Sequence, residues 1–258
     1  MLSRKFNIII IIFVAINFVS YEAQKRCSNC GSFLLKHKIL NKQTNTFITP
    51  AYDRDRKVWF KDSLVIGEGS HVDIEQDELG KETWKTYVGE YTFINLKTKS
   101  FYEYLTFSDT AKIIDRYIQP EIGRNKRGWN FFSTQSIFSI ENLEIISDTI
   151  IDGVVYKRVM SSKTVEVKNP EEQKILGEKQ LQTSIGYLRC DLKSSIYSID
   201  RGVEKKMGCP VIRVDQISPT NNSWIITEIE FLPNKLTSNE IKVFDAWEKN
   251  AKNNPVHK

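Results

Sequence analysis

The stretch KTYVGEYTFINLKTKSFYEYLTF, residues 85–107, decides the fold. Two runs of aromatic and β-branched residues flank the polar segment NLKTKS, which is the pattern of an antiparallel hairpin. At the two-residue period of a strand, Tyr87, Gly89, Tyr91, Phe93 and Asn95 share one face. Val88, Glu90, Thr92 and Ile94 share the other. Both faces are mixed in character, so a curved sheet covered in part on each side is expected.

The same alternation recurs on either side of this hairpin. KVWFKDSLVIGEG (57–69) reads as a strand broken at Lys61-Asp62-Ser63. LEIISDTIIDGVVYKRVMSS (143–162) reads as a hairpin turning at Asp152-Gly153, a pair that accepts the positive φ of a type I′ turn. KTVEVKN (163–169) is expected to add a short strand, and 169–182 a short helix or an exposed loop. IGYLRCDL (185–192), PVIRVDQI (210–217) and SWIITEIEFLP (223–233) complete the β content. SDTAKIIDRYIQP (108–120) suits either a helix capped by Ser108 or a strand.

One helix is well marked, at 237–252. Thr237 and Glu240 have capping-box spacing, and Leu236 and Ile241 stand at the two positions of a hydrophobic staple. Ile241, Phe244 and Trp247 then line one face, and Pro255 lies beyond the end. The expected fold is mostly β: a curved antiparallel sheet or open half-barrel with this amphipathic helix packed on it.

The chain opens with MLSRKFNIIIIIFVAINFVSYEAQ, a leader with Arg4 and Lys5 ahead of an apolar core from Ile8 to Val19. That core is short for a bilayer span, and Ala23 precedes Gln24 at a candidate cleavage site, although Tyr21 occupies a position that prefers a small residue. The expected organisation is a signal peptide at 1–23 and a single β-rich domain at 24–258. An uncleaved leader would instead anchor the chain, and it is the only expected membrane contact. The destination is periplasmic or extracellular, or membrane-associated if the leader stays. A net charge of +5 on 258 residues, with no basic face, gives no warrant for a nucleic-acid partner. The apolar fraction of 40% argues against disorder.

Four cysteines in an exported chain favour disulfides. Cys190 and Cys209 fall on segments that can lie on adjacent strands, and their pairing is preferred, with Cys27 and Cys30 either paired with each other or free. The CSNC of residues 27–30 precedes every convincing strand, whereas a redox centre needs its first cysteine at a helix N-terminus. A structural zinc site would need a second close ligand pair, and Cys190 and Cys209 are far apart in sequence. A staple near the terminus is the reading that remains.

Other motifs fail as chemistry. His37, His71 and His257 are too scattered for a metal, and Ser70 and His71, neighbours on a strand, face opposite ways. DIEQDELG (73–80) begins like a calcium loop but places Glu78 where the turn glycine belongs and Trp84 where the bidentate carboxylate belongs. GRNKRGW (123–129) reads as a solvated basic loop. Asn221-Asn222-Ser223 is a glycosylation sequon, relevant only in a eukaryotic secretory route. No catalytic constellation, metal set or cofactor motif is found, so a non-enzyme is expected.

YTFINLKTKSFYEYLTF and IIDGVVYKRV are similar to the hairpins of exported Bacteroidota-type proteins that resemble the open half-barrel of lipoprotein-localisation carriers. That resemblance implies an apolar concave face beneath a helical lid and no catalytic residue. Two functions follow as alternatives. One is a non-catalytic envelope protein binding an apolar or acyl ligand in the sheet concavity, with Tyr91 and Phe93 as ligand-binding residues and lipid as the partner. The other is a structural or protein-interaction module without a cavity, whose partner is another envelope protein.

Overall fold

The computed structural model describes residues 29–256 except 52, 119–135, 168–170, 172, 175, 176, 178, 193–196, 219–222 and 234. The leader, Cys27, the GRNKRGW loop and Asn221-Asn222 of the sequon lie outside the described residues.

Twelve strands form one open antiparallel sheet in the order β7-β6-β5-β4-β3-β1-β12-β11-β10-β9-β8, with β2 (Thr46–Ile48) paired to the end of β1. The long strand β1 (Cys30–Asn41) is central. It pairs with β12 (Ser223–Phe231) along one edge and β3 (Arg56–Lys61) along the other. Hairpins extend the sheet outward on each side. On one side run β4 (Leu64–Gln76), β5 (Glu82–Asn95), β6 (Ser100–Tyr104) and β7 (Ile113–Ile118). On the other run β11 (Val211–Ser218), β10 (Lys179–Leu188), β9 (Val154–Glu166) and β8 (Glu144–Ile151).

The turns form where their residues allow. Asp62 takes a left-handed φ of 54° between β3 and β4, and Asp152-Gly153 takes 50° and 77° between β8 and β9. The ambiguous 108–120 segment contributes strand β7. Two expectations are corrected. KTVEVKN adds no separate strand, because β9 continues unbroken to Glu166 against β10. The strand begun at Leu64 does not stop at Gly69 but runs to Gln76, which makes DIEQDELG the end of a strand and its turn.

The face assignment along β5 also needs correcting. Glu68 pairs with Tyr91 but Ser70 pairs with Val88, so Gly89 and Glu90 together oppose Gly69. This bulge reverses the alternation: Val88 joins the face of Tyr91 and Phe93, and Tyr87 turns to the opposite face. A Cβ at Gly69 would meet the Glu90 carbonyl oxygen at 2.7 Å, so no side chain fits there.

Each half of the sheet is covered by a helix, on opposite faces. Helix α1 (Arg201–Met207), which the sequence reading lacks, packs Val203 and Met207 on Phe138, Val159, Leu188, Val211 and Val214. Its N-cap, Asp200, is buried and accepts from the backbone N–H of Val203 at 2.8 Å and of Ile137 at 2.7 Å, and from Ser136 Oγ. The same face carries a second cluster around Phe33, Val58, Val65, Ile94 and Phe101, against which Tyr197 and Ile199 pack.

Helix α2 (Ser238–Asn253) covers the other face over β3–β6. Its capping box is present, with Thr237 Oγ1 accepting from Glu240 N at 3.2 Å and Glu240 Oε2 accepting from Thr237 N at 2.7 Å. Leu236, Val243, Phe244 and Trp247 are buried.

Cys190 and Cys209 are bonded, with Cα atoms 4.8 Å apart, just after β10 and just before β11. Cys30 is also disulfide-bonded. The Cys190–Cys209 bridge closes the connection that carries α1, a loop with a sequence separation of 19. Replacing both cysteines with serine should lower unfolding free energy by about 2–4 kcal/mol in urea titration. A loss under about 1 kcal/mol would show that the Asp200 cap and the apolar contacts of α1 hold this connection unaided.

Candidate functional site

Among the described residues, aromatic side chains gather in a layer between α2 and the sheet. Trp59 (β3), Tyr91 and Phe93 (β5), Tyr102 and Tyr104 (β6), Phe107 and Trp247 all belong to it. Alternation puts these strand residues on one face, and the three-residue steps of α2 bring Trp247 down onto them. Tyr104 and Trp247 stack at 3.8 Å with an interplanar angle of 3°. Phe93 meets Trp247 edge-on at 6.3 Å. Trp59 stacks on Phe107 at 4.5 Å, with Tyr91 beside that ring at 5.5 Å.

Tyr91 and Phe93 therefore share a face but differ in access. Phe93 is fully buried at 0% exposure beneath α2, and Tyr91 is half-buried at the margin of the layer. Burial pushes the Tyr91 phenol up, and the nearby Glu68 carboxylate adds to the shift. Glu68 itself accepts from Arg54 at 2.6 Å and from the Lys57 backbone N–H at 3.0 Å.

Polar contacts hold the helix at its rim. Glu240 Oε1 accepts from Trp59 Nε1 at 2.6 Å and from Lys57 Nζ at 3.2 Å. Lys61 pairs with Asp245, and Trp247 Nε1 donates to the Ser108 carbonyl at 2.8 Å. Burial alone would raise the Glu240 carboxyl. The hydrogen bonds from the Thr237 backbone, Trp59 and Lys57 outweigh it and hold the group below the usual glutamate range.

Inside the layer one polar atom is left over. The hydroxyl of Tyr104 is buried without a hydrogen-bond partner among the described residues, and burial drives its phenol far above the ordinary tyrosine range. The Asn250 amide lies near enough to offset part of that shift. It does not reach hydrogen-bond geometry with the phenol oxygen. Tyr102, on the same strand, does find a partner in the Ala251 carbonyl at 3.3 Å.

The apolar floor has a definite boundary. Past β3, the same face carries Lys36–Glu230 and Lys38–Glu228 ion pairs, then Arg213 held by Asp215 at 2.7 Å and lying near Glu228 at 3.8 Å. Tyr187 donates to Asp215 at 3.3 Å. An apolar chain laid there would face these charges. Beside the layer, a cavity of about 230 Å³ opens at the C-terminal end of α2, lined by Asn95, Ser100, Tyr102, Ala251, Lys252 and Val256. Among the described residues, no group of three or more His, Cys, Asp or Glu side chains is gathered to hold a metal, and no helix is long and apolar enough to cross a membrane.

No protein-family model matches this chain, and no curated protein sequence matches it. Solved structures do. LprF from Mycobacterium bovis aligns over 82% of this chain and 90% of its own, at 11% identity and a TM-score of 0.33. A putative outer membrane lipoprotein-sorting protein domain from Vibrio parahaemolyticus aligns over 88% and 96%, at 9% identity and a TM-score of 0.18. Likenesses of this strength carry no argument about function.

Trp247→Ala should cost about 3–5 kcal/mol of stability, as other large aromatic truncations in cores do. Tyr104→Phe, which removes only an unpartnered hydroxyl, should stay within about 0.5 kcal/mol of the parent or exceed it. Parallel urea titrations of the two variants check both values. Because the Glu240 pKa is depressed, its stabilisation is complete above the ordinary value of 4.5 and lost as pH falls through the lower folded-state value. The difference in stability between the parent and Glu240→Gln should therefore be constant above pH 4.5 and shrink below it, as followed by tryptophan fluorescence.

Proposed function

We propose that this is an exported, non-catalytic envelope protein that takes an apolar or acyl chain into the aromatic layer beneath α2. Residues 1–23 direct export, and 24–258 form the mature single domain in the periplasm or outside the cell. Tyr91 stands at the mouth of the layer, and Phe93 forms its floor. The observation that carries this reading is the Tyr104 hydroxyl, which has no partner among the described residues in a layer where Tyr102, Trp59 and Trp247 all find one. A buried hydroxyl without a partner costs about 1–3 kcal/mol. A carbonyl or carboxylate at the head of an acyl chain supplies the acceptor it lacks. The polar contacts of α2 with the sheet, Glu240 with Lys57 and Asp245 with Lys61, lie at its rim, where water replaces them when the helix lifts.

A second reading, a protein-interaction module with a solid core, is favoured by the close Tyr104–Trp247 stack, which leaves no room for a ligand while α2 is down. One titration separates the two. An environment-sensitive acyl probe should bind the mature protein with micromolar affinity, about 8 kcal/mol. Tyr91→Asp and Phe93→Asp should each weaken it about tenfold or more, and Tyr104→Phe should weaken it without loss of stability. If the probe does not bind, the interaction module takes the place of the carrier.

A further inference from the structure

Strand β8 closes one end of the sheet, and no described strand pairs along its outer edge. Such an edge presents a row of backbone N–H and C=O groups that can pair with another strand. Edges are commonly blunted by short length, proline or lysine. β8 runs for eight residues, EIISDTII, with neither proline nor lysine and with four isoleucines.

A bulge sits at its centre. Ile146 pairs with Arg158 and Thr149 with Tyr156, so Ser147 and Asp148 together oppose Lys157. Arg158 holds the bulge, donating from Nε to the Ser147 carbonyl at 2.7 Å and from Nη2 to Ser147 Oγ at 3.0 Å. Regular alternation would put Ile145 and Ile150 on opposite faces, and the extra residue brings them onto one. Ile145 pairs with Val159, and Ile150 with Val155. This is the face on which α1 packs, yet the helix covers Val159 and not the edge beyond it. Ile145 is 71% exposed, Ile150 69% and Val155 58%.

The bulge also selects what can cover this edge. A regular strand laid beside β8 would lose register at the insertion and keep only 144–146 and 149–151 on either side of it. A second β8, antiparallel across a two-fold axis, does not. Ser147-Asp148 lies at the midpoint of 144–151, so the two insertions meet and pairing runs one for one along the whole strand. Ile145 then stands opposite Ile150 of the second copy, and Ile146 opposite Thr149 of the second copy. Opposed residues share a face, so Val159 and Ile145 of one chain continue into Ile150 and Val155 of the other as one apolar row.

Charge fits the same register. Glu144 falls opposite Ile151 and Asp148 opposite Ser147, so no two like charges stand directly opposed. The two Asp148 carboxylates come near each other at the axis, where each chain also brings Lys157 and Arg158. Asp148 and Lys157 already line one cavity of about 420 Å³, together with Arg189 and Asp191.

We propose that β8 pairs with β8 of a second copy of this chain, joining two sheets into one across a two-fold axis. An interface of this symmetry closes on itself and stops at the dimer. The strand is about 27 Å long at 3.4 Å per residue, which makes a small interface, so the dimer dissociates on dilution. The inference does not rest on the apolar-ligand reading, since β8 lies at the opposite end of the sheet from the strands nearest α2.

Sedimentation velocity of the purified protein over a concentration series should show monomer passing to dimer and to nothing larger. Ile150→Lys, and separately Ile145→Lys, should raise the dissociation constant about tenfold or more with an unchanged melting temperature. Cysteine pairs read the register. Ile145→Cys with Ile150→Cys should form an interchain disulfide under copper–phenanthroline oxidation, with a peptide map linking position 145 to position 150. Ile145→Cys with Thr149→Cys, whose side chains leave opposite faces, should not. A chain that stays monomeric throughout, a dimer indifferent to both lysine variants, an oligomer that grows beyond two, or equal cross-linking by both cysteine pairs overturns the proposal. So does native mass spectrometry of protein taken from its cells, if it shows one copy bound to a different protein and Ile150→Lys abolishes that complex.

Discussion

The stack of Trp247 on Tyr104 is the contact on which the rest of this structure depends. The face of β3–β6 is lined with aromatic rings, and a sheet face of that kind must be removed from water. One amphipathic helix does so. Burying each large ring is worth about 1.5–3 kcal/mol relative to exposure, so the seven rings of the layer outweigh the rim ion pairs, which contribute about 0–1 kcal/mol each. The capping box at Thr237 and the Trp59–Glu240 bond set where α2 begins and how it is turned, which brings Trp247 over Tyr104.

The strands under α2 are covered on both faces, and the other half of the sheet on one. Under α2 the floor is aromatic. Across β1, β12 and β11 the same face becomes a ladder of paired charges, while the opposite face stays covered, by Tyr197 and Ile199 over the centre and by α1 and the Phe138 segment beyond. This division explains how one strand can carry apolar residues on both faces, as β5 does with Phe93 and Ile94. The layer under α2 is closed by the Tyr104–Trp247 stack.

The bulge at Gly89–Glu90 decides which side chains of β5 share the aromatic face. A regular β5 would have put Tyr87 and Lys85 on the aromatic face. The extra residue turns Val88 and Trp84 there instead. Glycine is required at 69 because the Glu90 carbonyl occupies the space a side chain would need. A local steric requirement thus decides the chemistry of a whole face of β5.

The strands, the Asp152-Gly153 turn and helix α2 with its cap were legible in the sequence, because each is specified by neighbours a few residues apart: alternation, turn residues, cap spacing. The Cys190–Cys209 pairing was legible for the same reason, since its two segments read as strands that can lie side by side. Helix α1 was not. Asp200 as N-cap and Gly208 with its left-handed φ are present in the sequence, but seven residues make no clear periodic pattern. The length of β4 and the reversal of faces along β5 were not legible either, because a bulge is a relation between two strands and leaves alternation within each one ambiguous. Tyr91 and Phe93 could be read as companions on a face, but not as a half-open margin and a sealed floor. Local interactions along the chain determine what each segment is. Which face meets α2, and which is left to water, is decided only when distant segments compete for the same apolar surface.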